Sequence, residues 1–315
     1  MKAMQFNAFR GLASLREVDV AEPAMQDTEV MVDVAATSIN PIDWKLRSGF
    51  LRWISPFRFS AVPCFDFAGT IAAAGSKAKR FGVGDRVFGL RPLNGMGAAA
   101  GRVASREDQL VAIPPGVAFE QAAGVPLAGM TALQALLHPA GSGPGKKVLI
   151  VGASGGVGHY AVQIAKALDA QVTAVCSTAN VEWVRELGAD TVLDYSRGET
   201  ASPTDEFDRV FDAVSLGTFE RWRKWLQPEG VYVTLLPRPD LLWHRLTLPW
   251  SSRQRAYAIW LKPNIADLNR LAGWMAEGKL RTIVDSTFPL THLSAAFERS
   301  RSGRARGKIV VRIPE

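Results

Sequence analysis

The chain is poor in the residues that staple small domains or bind zinc. Its two cysteines, Cys64 and Cys176, lie far apart. They build no disulfide framework and no cysteine-rich zinc lobe, and they fit a reducing compartment. Only four histidines occur, His138, His159, His244 and His292, and none has ligand spacing. No apolar run reaches the roughly 18 residues that would begin to suggest a membrane span. The opening MKAMQFNAF has no apolar signal core. A cytoplasmic protein without a membrane span is therefore expected. Repeats and low-complexity tracts are also lacking.

What is present suits about two globular domains: 315 residues, 47% hydrophobic and 21% charged. The formal charge is +7. The basic residues are mostly scattered, with denser tracts at Arg238–Arg255 and Arg299–Lys308. Neither tract interleaves with a nucleic-acid motif, so nucleic acid is not an expected partner. The charge reads as solvated surface, with room for one patch that attracts a phosphorylated cofactor.

The first third reads as short strands. Lys2–Asn7, Leu15–Val20, Glu29–Ala35 and Phe67–Ala74 are candidates, and Gly82–Phe88 is a turn entering a strand. Ser38–Pro41 is a turn, and Asp43–Arg47 starts a short helix. Pro114-Pro115-Gly116 closes this barrel-like β region. The pattern then becomes helix and strand in alternation: Phe119–Leu137 helical, Lys147–Val151 strand, Gly158–Leu168 helix, Gln171–Cys176 strand, Asn180–Leu187 helix. Strands at Thr191–Leu193, Phe207–Val214 and Gly230–Leu235 and a helix at Thr218–Leu226 continue it. This is the signature of a doubly wound parallel sheet. The Trp-rich stretch 238–262 reads as a packed extension or dimer contact, or as a lid over the substrate. A helix at Ile265–Glu277, a strand at Ile283–Phe288, a helix at Ser294–Ser300 and a strand at Lys308–Ile313 complete the chain.

The strongest motif is a β run entering glycines: Val148–Val151, then Gly152, Ala153, Ser154, Gly155, Gly156, Val157 and Gly158. Strand before and helix after are what a dinucleotide fingerprint requires. The glycines admit the pyrophosphate to the backbone, and the helix amino terminus offers a positive dipole end. About 20 residues on, an NAD site carries an acid for the ribose 2′-hydroxyl. Here Ser177 and Thr178 stand instead, and the first acid beyond is Glu182. Small hydroxyls can donate to a 2′-phosphate, with Arg185 as a nearby cation, so NADPH is the expected cofactor.

Together these features resemble the medium-chain dehydrogenase/reductase superfamily, over essentially the whole chain. The resemblance is carried by Ser38–Gly49, Phe65–Gly69, Gly84–Val87, Leu127–Ala132, the glycine turn and Arg306–Val311. The Asn-Pro-x-Asp element at Asn40–Asp43 looks like the quinone oxidoreductase branch, including its mitochondrial reticulon-interacting relatives. The resemblance implies an α/β fold: a GroES-like β-barrel catalytic domain (1–118 and 266–315) plus a Rossmann doubly wound parallel-sheet cofactor domain (119–265). It also implies a homodimer. The zinc enzymes of the superfamily carry a cysteine at the Asn40–Asp43 turn and Gly-His-Glu at Cys64-Phe65-Asp66. Cys64 and Asp66 lack a histidine companion, so a zinc-free enzyme is expected.

Without a Lewis acid, polarised acceptors are the easier substrates. A quinone or α,β-unsaturated carbonyl accepts hydride at carbon, and the charge moves to oxygen, where hydrogen-bond donors stabilise it. The resemblance places Asn40 and Asp43 beside nicotinamide and substrate. Asn40 either donates to a carbonyl or only shapes its turn; Asp43 either relays a proton or caps the short helix. Thr131 resembles a threonine at the phosphate–nicotinamide end, unless its hydroxyl only bonds back along its helix. Leu235 is expected to line the nicotinamide pocket. Lys308 resembles a lysine bordering the cofactor cleft, or is a surface cation. Tyr195 resembles a tyrosine that approaches the 2′-phosphate, or is a half-buried aromatic. Two other functions fit the same residues: a reductase of one specific unsaturated metabolite or polyketide, and a low-turnover NADPH-binding sensor.

Overall fold

Buried Met4 and Phe6 share one face of β1 (Lys2–Phe6), with buried Ala3 on the other, and the strand pairs antiparallel with β2 (Leu15–Asp19). A computed structural model of the chain describes residues 1–7, 11–45, 61–92, 96–138, 141–202, 205–215, 217–241 and 253–314. β3 (Glu29–Ile39) runs into a short helix, α1 (Pro41–Lys45). Proline at its first position needs no partner for the N–H it lacks. β4 (Asp66–Ala74), β5 (Arg86–Leu90), β6 (Arg102–Arg106), β7 (Leu110–Ala112) and α2 (Phe119–Ala123) follow.

The middle of the chain alternates. It contains α3 (Pro126–Leu137), β8 (Lys147–Val151), α4 (Gly158–Ala167), β9 (Gln171–Cys176), α5 (Val181–Glu186) and β10 (Thr191–Asp194). Then come β11 (Phe207–Asp212), α6 (Phe219–Trp222), β12 (Leu226–Thr234) and β13 (Arg255–Ala258). The strands form one six-stranded parallel sheet in the order β10-β9-β8-β11-β12-β13. Val148, Leu149, Ile150 and Val151 are all buried, as a strand covered on both faces requires. Each such side chain contributes about 1.5–3 kcal/mol by leaving water. The order reverses between β8 and β11. That switch point leaves a crevice beyond the carboxyl ends of the strands, where ligands of such sheets bind.

The chain then returns through α7 (Ile265–Ala276), β14 (Val284–Pro289), α8 (Leu293–Arg301) and β15 (Lys308–Arg312). The last two strands extend the first sheet, whose order is β14-β15-β3-β4-β5-β7, with β6 also pairing to β3. Its core gathers Phe6, Val32, Phe67, Val87, Leu293 and Phe297 with their neighbours.

The chain thus divides into two compact units, residues 1–128 with 263–315 and residues 129–262. The crossings fall at 128/129 and 262/263, not at 118/119 and 265/266, because α2 packs on β3, β4 and β5 of the first unit. The helical stretch 119–137 is two helices, since Pro126 disfavours helix at the residue before it. The expected helix over Thr218–Leu226 stops at Trp222, and a 3₁₀ turn over Arg223–Trp225 leads into β12. Short strands β6 and β7 and edge strand β13 carry too few apolar alternations to be read in advance. Residues 50–60 and, within the Trp-rich stretch 238–262, residues 242–252 lie outside the described residues, and the lid reading stays with them; residues 255–258 of that stretch form β13 at the edge of the sheet. Among the described residues no helix is long and apolar enough to cross a membrane.

Candidate active site

In the second unit, β8 ends at Val151 and the chain turns at Gly152, whose φ of 76° suits a residue without Cβ. The N–H groups of Gly152 and Ala153 both donate to Val175 O, at 3.0 and 3.1 Å, pinning the turn to β9. A Cβ on Gly158 would lie 2.1 Å from Gly152 O, so no other residue fits this start of α4. Buried His159 stands with Nδ1 3.0 Å from Gly155 O, bracing the turn from within the helix. Gly152 and Ser154–Val157 stay partly exposed, at the amino end of a helix whose dipole favours an anion.

The end of β9 is tied to that turn by one side chain. Asn180 Nδ2 donates to Ser177 Oγ at 2.9 Å and to Ser154 Oγ at 3.2 Å. Trp183 Nε1 holds Asn180 Oδ1 at 3.1 Å. Thr178 is exposed beside the buried Asp194 carboxyl, which accepts from Ser196 N at 2.9 Å. Tyr195 is 64% exposed rather than half-buried. Arg185 pairs with Glu182 at 2.8 Å on the surface.

A third loop leaves β11. Buried Asp212 accepts from the N–H groups of Val214, Ser215 and Gly217 at 3.1, 2.8 and 2.9 Å, and from the Tyr232 hydroxyl at 3.2 Å. These bonds hold Ser215 at a φ of 57°, a conformation costing about 1–2 kcal/mol for a residue with Cβ. Ser215 Oγ accepts from Leu235 N at 3.2 Å and from Thr234 Oγ1 at 2.9 Å. Leu235 is therefore fixed at the carboxyl end of β12, half-buried. Thr131 is buried on α3. Nothing in the local sequence marks Asn180 or Asp212 as organisers. A polar side chain four residues after a strand, or an acid closing an apolar strand, has no distinctive spacing.

In the first unit, the turn after β3 and the starts of β4 and β15 bring together Asn40, Asp43, Asp66 and Lys308, each at most 2% exposed. Lys308 Nζ donates to Asn40 Oδ1 at 2.6 Å and to Ile39 O at 3.2 Å, and lies 3.6 Å from Asp66 Oδ2. It is a buried cation, not a surface one. Asn40 Nδ2 and Ser38 Oγ donate to Asp66 Oδ2 at 2.7 and 2.6 Å, and Leu127 N donates to Oδ1 at 2.8 Å. Asp43 Oδ2 accepts from Asn40 N at 2.6 Å, while Asp43 N donates to Asn40 O at 2.9 Å. Asp43 is thus the third residue of α1 reaching back to the cap position, one half of a capping box. Its other oxygen, Oδ1, is buried without a hydrogen-bond partner. Asp66 is the hub that sequence reasoning passed over, having weighed it only as a metal ligand.

Burial pushes the Asp43 carboxyl up to about 8; the Asn40 N–H and Lys308 oppose the rise and Asp66 adds to it. Burial also raises the Cys64 thiol and lowers the Lys308 ammonium, the latter against the pull of Asp66 and Asp43. The folded state therefore holds a proton on Asp43 that the unfolded chain, with its ordinary value of 3.8, releases. This contribution to stability is complete below pH 4 and is lost as pH rises toward 8, at up to about 1.4 kcal/mol per pH unit. Urea melts from pH 5 to 8 are expected to show this slope in the parent and not in Asp43→Asn. Equal slopes would contradict it.

These residues do not suit a zinc ion. Asp66 is already saturated by donors and has an ammonium beside it. Among the described residues no group of three or more His, Cys, Asp or Glu forms a metal site. The glycine turn does suit a dinucleotide, since it leaves backbone space that a Cβ at Gly158 would fill.

Comparison with known proteins agrees with this geometry. The family described as "Alcohol dehydrogenase GroES-like domain" matches residues 26–130, and "Zinc-binding dehydrogenase" matches residues 187–311. The chain is 38% identical over 322 residues to the chloroplast envelope quinone oxidoreductase homolog of Arabidopsis thaliana, covering 99% of this chain and 98% of the relative. It is 34% identical to the trans-enoyl reductase pgmF of Aspergillus terreus, over 91% of this chain and 87% of that protein. The quinone oxidoreductase structure from Coxiella burnetii superposes with a TM-score of 0.89 at 30% identity, covering 100% of this chain and 99% of that one. The chain belongs to the medium-chain dehydrogenase/reductase superfamily, in its quinone oxidoreductase-like branch, and is an oxidoreductase of quinone or enone type.

Proposed function

We propose that the protein uses NADPH to reduce a quinone or an α,β-unsaturated carbonyl without zinc. The observation that carries the cofactor choice is the hydroxyl pair Ser177 and Thr178 at the end of β9, where an NAD site would place an acid. Gly152, Ala153, Ser154, Gly155, Gly156, Val157 and Gly158 would hold the diphosphate. Ser177, Thr178 and Tyr195 would meet the 2′-phosphate, and Thr131 and Leu235 the nicotinamide side. A bound nicotinamide dinucleotide supplies the hydride. Asn40 and Lys308 carry the N–H donors proposed for the acceptor's oxygen; Asn40 has a second amide N–H beyond the one given to Asp66. The lack of a fitting zinc donor set supports the choice of acceptors that need no Lewis acid.

Isothermal titration is expected to show NADPH binding at least about tenfold tighter than NADH, a difference of about 1.4 kcal/mol. Equal affinities, or tighter NADH, would overturn the reading of Ser177. A panel of quinones and enones separates broad quinone reduction from a specific enone substrate; the 34% identity to a trans-enoyl reductase favours including enoyl substrates. The sensor reading predicts NADPH binding with no turnover on any of them. We also infer a homodimer formed along edge strand β13, which exposes Tyr257 and, just beyond it, Trp260. A sedimentation mass of one 34.2 kDa chain would rule it out.

A further inference from the structure

Two carboxyl groups and one ammonium share the buried cluster of the first unit, and their partners are unequal. Asp66 accepts from Ser38, Asn40 and the Leu127 N–H and lies beside Lys308. Asp43 accepts a close hydrogen bond from the Asn40 N–H alone, with the Cys64 N–H also facing its carboxyl, and its Oδ1 is buried without a hydrogen bond of normal geometry. A buried carboxylate needs donors on both oxygens to replace its hydration. Asp66 has them and Asp43 does not. With both acids ionised the cluster would carry a net buried negative charge; with one proton it is neutral. The groups facing Asp43 are the Asn40 amide on its own turn, Asp66 on β4, Lys308 on β15 and Cys64 just before β4.

We propose that the two acids are specialised: Asp66 is the fixed anion that positions Asn40 and Lys308, and Asp43 stands as a neutral acid whose Oδ1 proton is the exchangeable proton of the site. The second half rests on the reductase reading above. Reducing a quinone or enone consumes one proton beyond the hydride. In this scheme the Asp43 Oδ1–H bond breaks, its electron pair stays on Oδ1, the proton passes to the anion of the reduced substrate, and solvent reprotonates Asp43. Lys308 holds its place throughout, and Asp66 does not change charge. Raised proton affinity in one acid beside an ionised neighbour is the usual arrangement where a carboxyl gives up a proton near neutral pH.

The test begins with the unaltered protein. Difference infrared spectra are expected to show a protonated-carboxyl carbonyl band at pH 6.5 that disappears by about pH 9. Asp43→Asn is expected to remove that band and to lower kcat at least about tenfold with KM little changed, and to flatten the alkaline limb of the kcat profile. Asp66→Asn is expected to keep the Asp43 band while raising KM, and it assigns the band should Asp43→Asn not fold. A band that is absent in the unaltered protein, or that survives in Asp43→Asn, sinks the assignment whether or not the protein turns over. An unchanged kcat and alkaline limb in Asp43→Asn sink the proton-donor role. A protein that shows the band yet reduces no quinone or enone keeps the assignment and refutes the reductase reading instead.

Discussion

Lys308→Met is expected to lower unfolding stability by about 3–5 kcal/mol at neutral pH, because removing one partner of a buried ion pair strands the other. The ammonium sits at most 2% exposed between Asn40 Oδ1, Ile39 O and Asp66 Oδ2. Methionine fills nearly the same volume, so little of the loss comes from packing. What remains is Asp66 with its charge uncompensated and the Asn40 carbonyl without its donor. Urea denaturation at neutral pH measures the loss. A loss under about 1 kcal/mol would show that Lys308 is dispensable to the cluster.

Gly158→Ala is expected to weaken NADPH binding at least about a hundredfold, about 2.7 kcal/mol. The new Cβ would sit 2.1 Å from Gly152 O and 2.9 Å from Ala153 Cα, both backbone atoms that can move only by opening the turn. Gly152→Ala makes the informative contrast. Its Cβ meets Val214 Cγ1 at 2.5 Å, the end of a side chain that can rotate away, though a φ of 76° still costs about 1–2 kcal/mol. Adding Val214→Ala should recover part of the Gly152→Ala loss and none of the Gly158→Ala loss. Titration with NADPH reads all of these variants. Binding by Gly158→Ala within threefold of the parent would mean that the turn is not the diphosphate seat.

The parallel sheet and its glycine turn were legible because their signals are local. Val148–Val151 is an unbroken apolar run, and the glycines follow at once. Gly188, at a φ of 103°, follows α5 in a conformation that favours a residue free of Cβ. Asn40 and Asp43 were legible as a pair through their turn, and Lys308 as a residue of interest. Their meeting was not, because it depends on β15 returning beside β3 across most of the chain. Asp66 was weighed only as a metal ligand for the same reason: its worth lies in donors from Ser38, Asn40 and Leu127, which no spacing along the chain reveals. Of the two readings of Tyr195, its exposure removes the half-buried aromatic and leaves the approach to a 2′-phosphate open.

The bridge that Asn180 makes between Ser177 and Ser154 means that coenzyme preference and diphosphate grip are mechanically joined. An acid put at position 177 to court NADH would compete for the same amide and tug on Ser154. Redesign of the coenzyme would therefore have to begin at Asn180, re-anchoring the phosphate loop before altering the residue that reads the ribose.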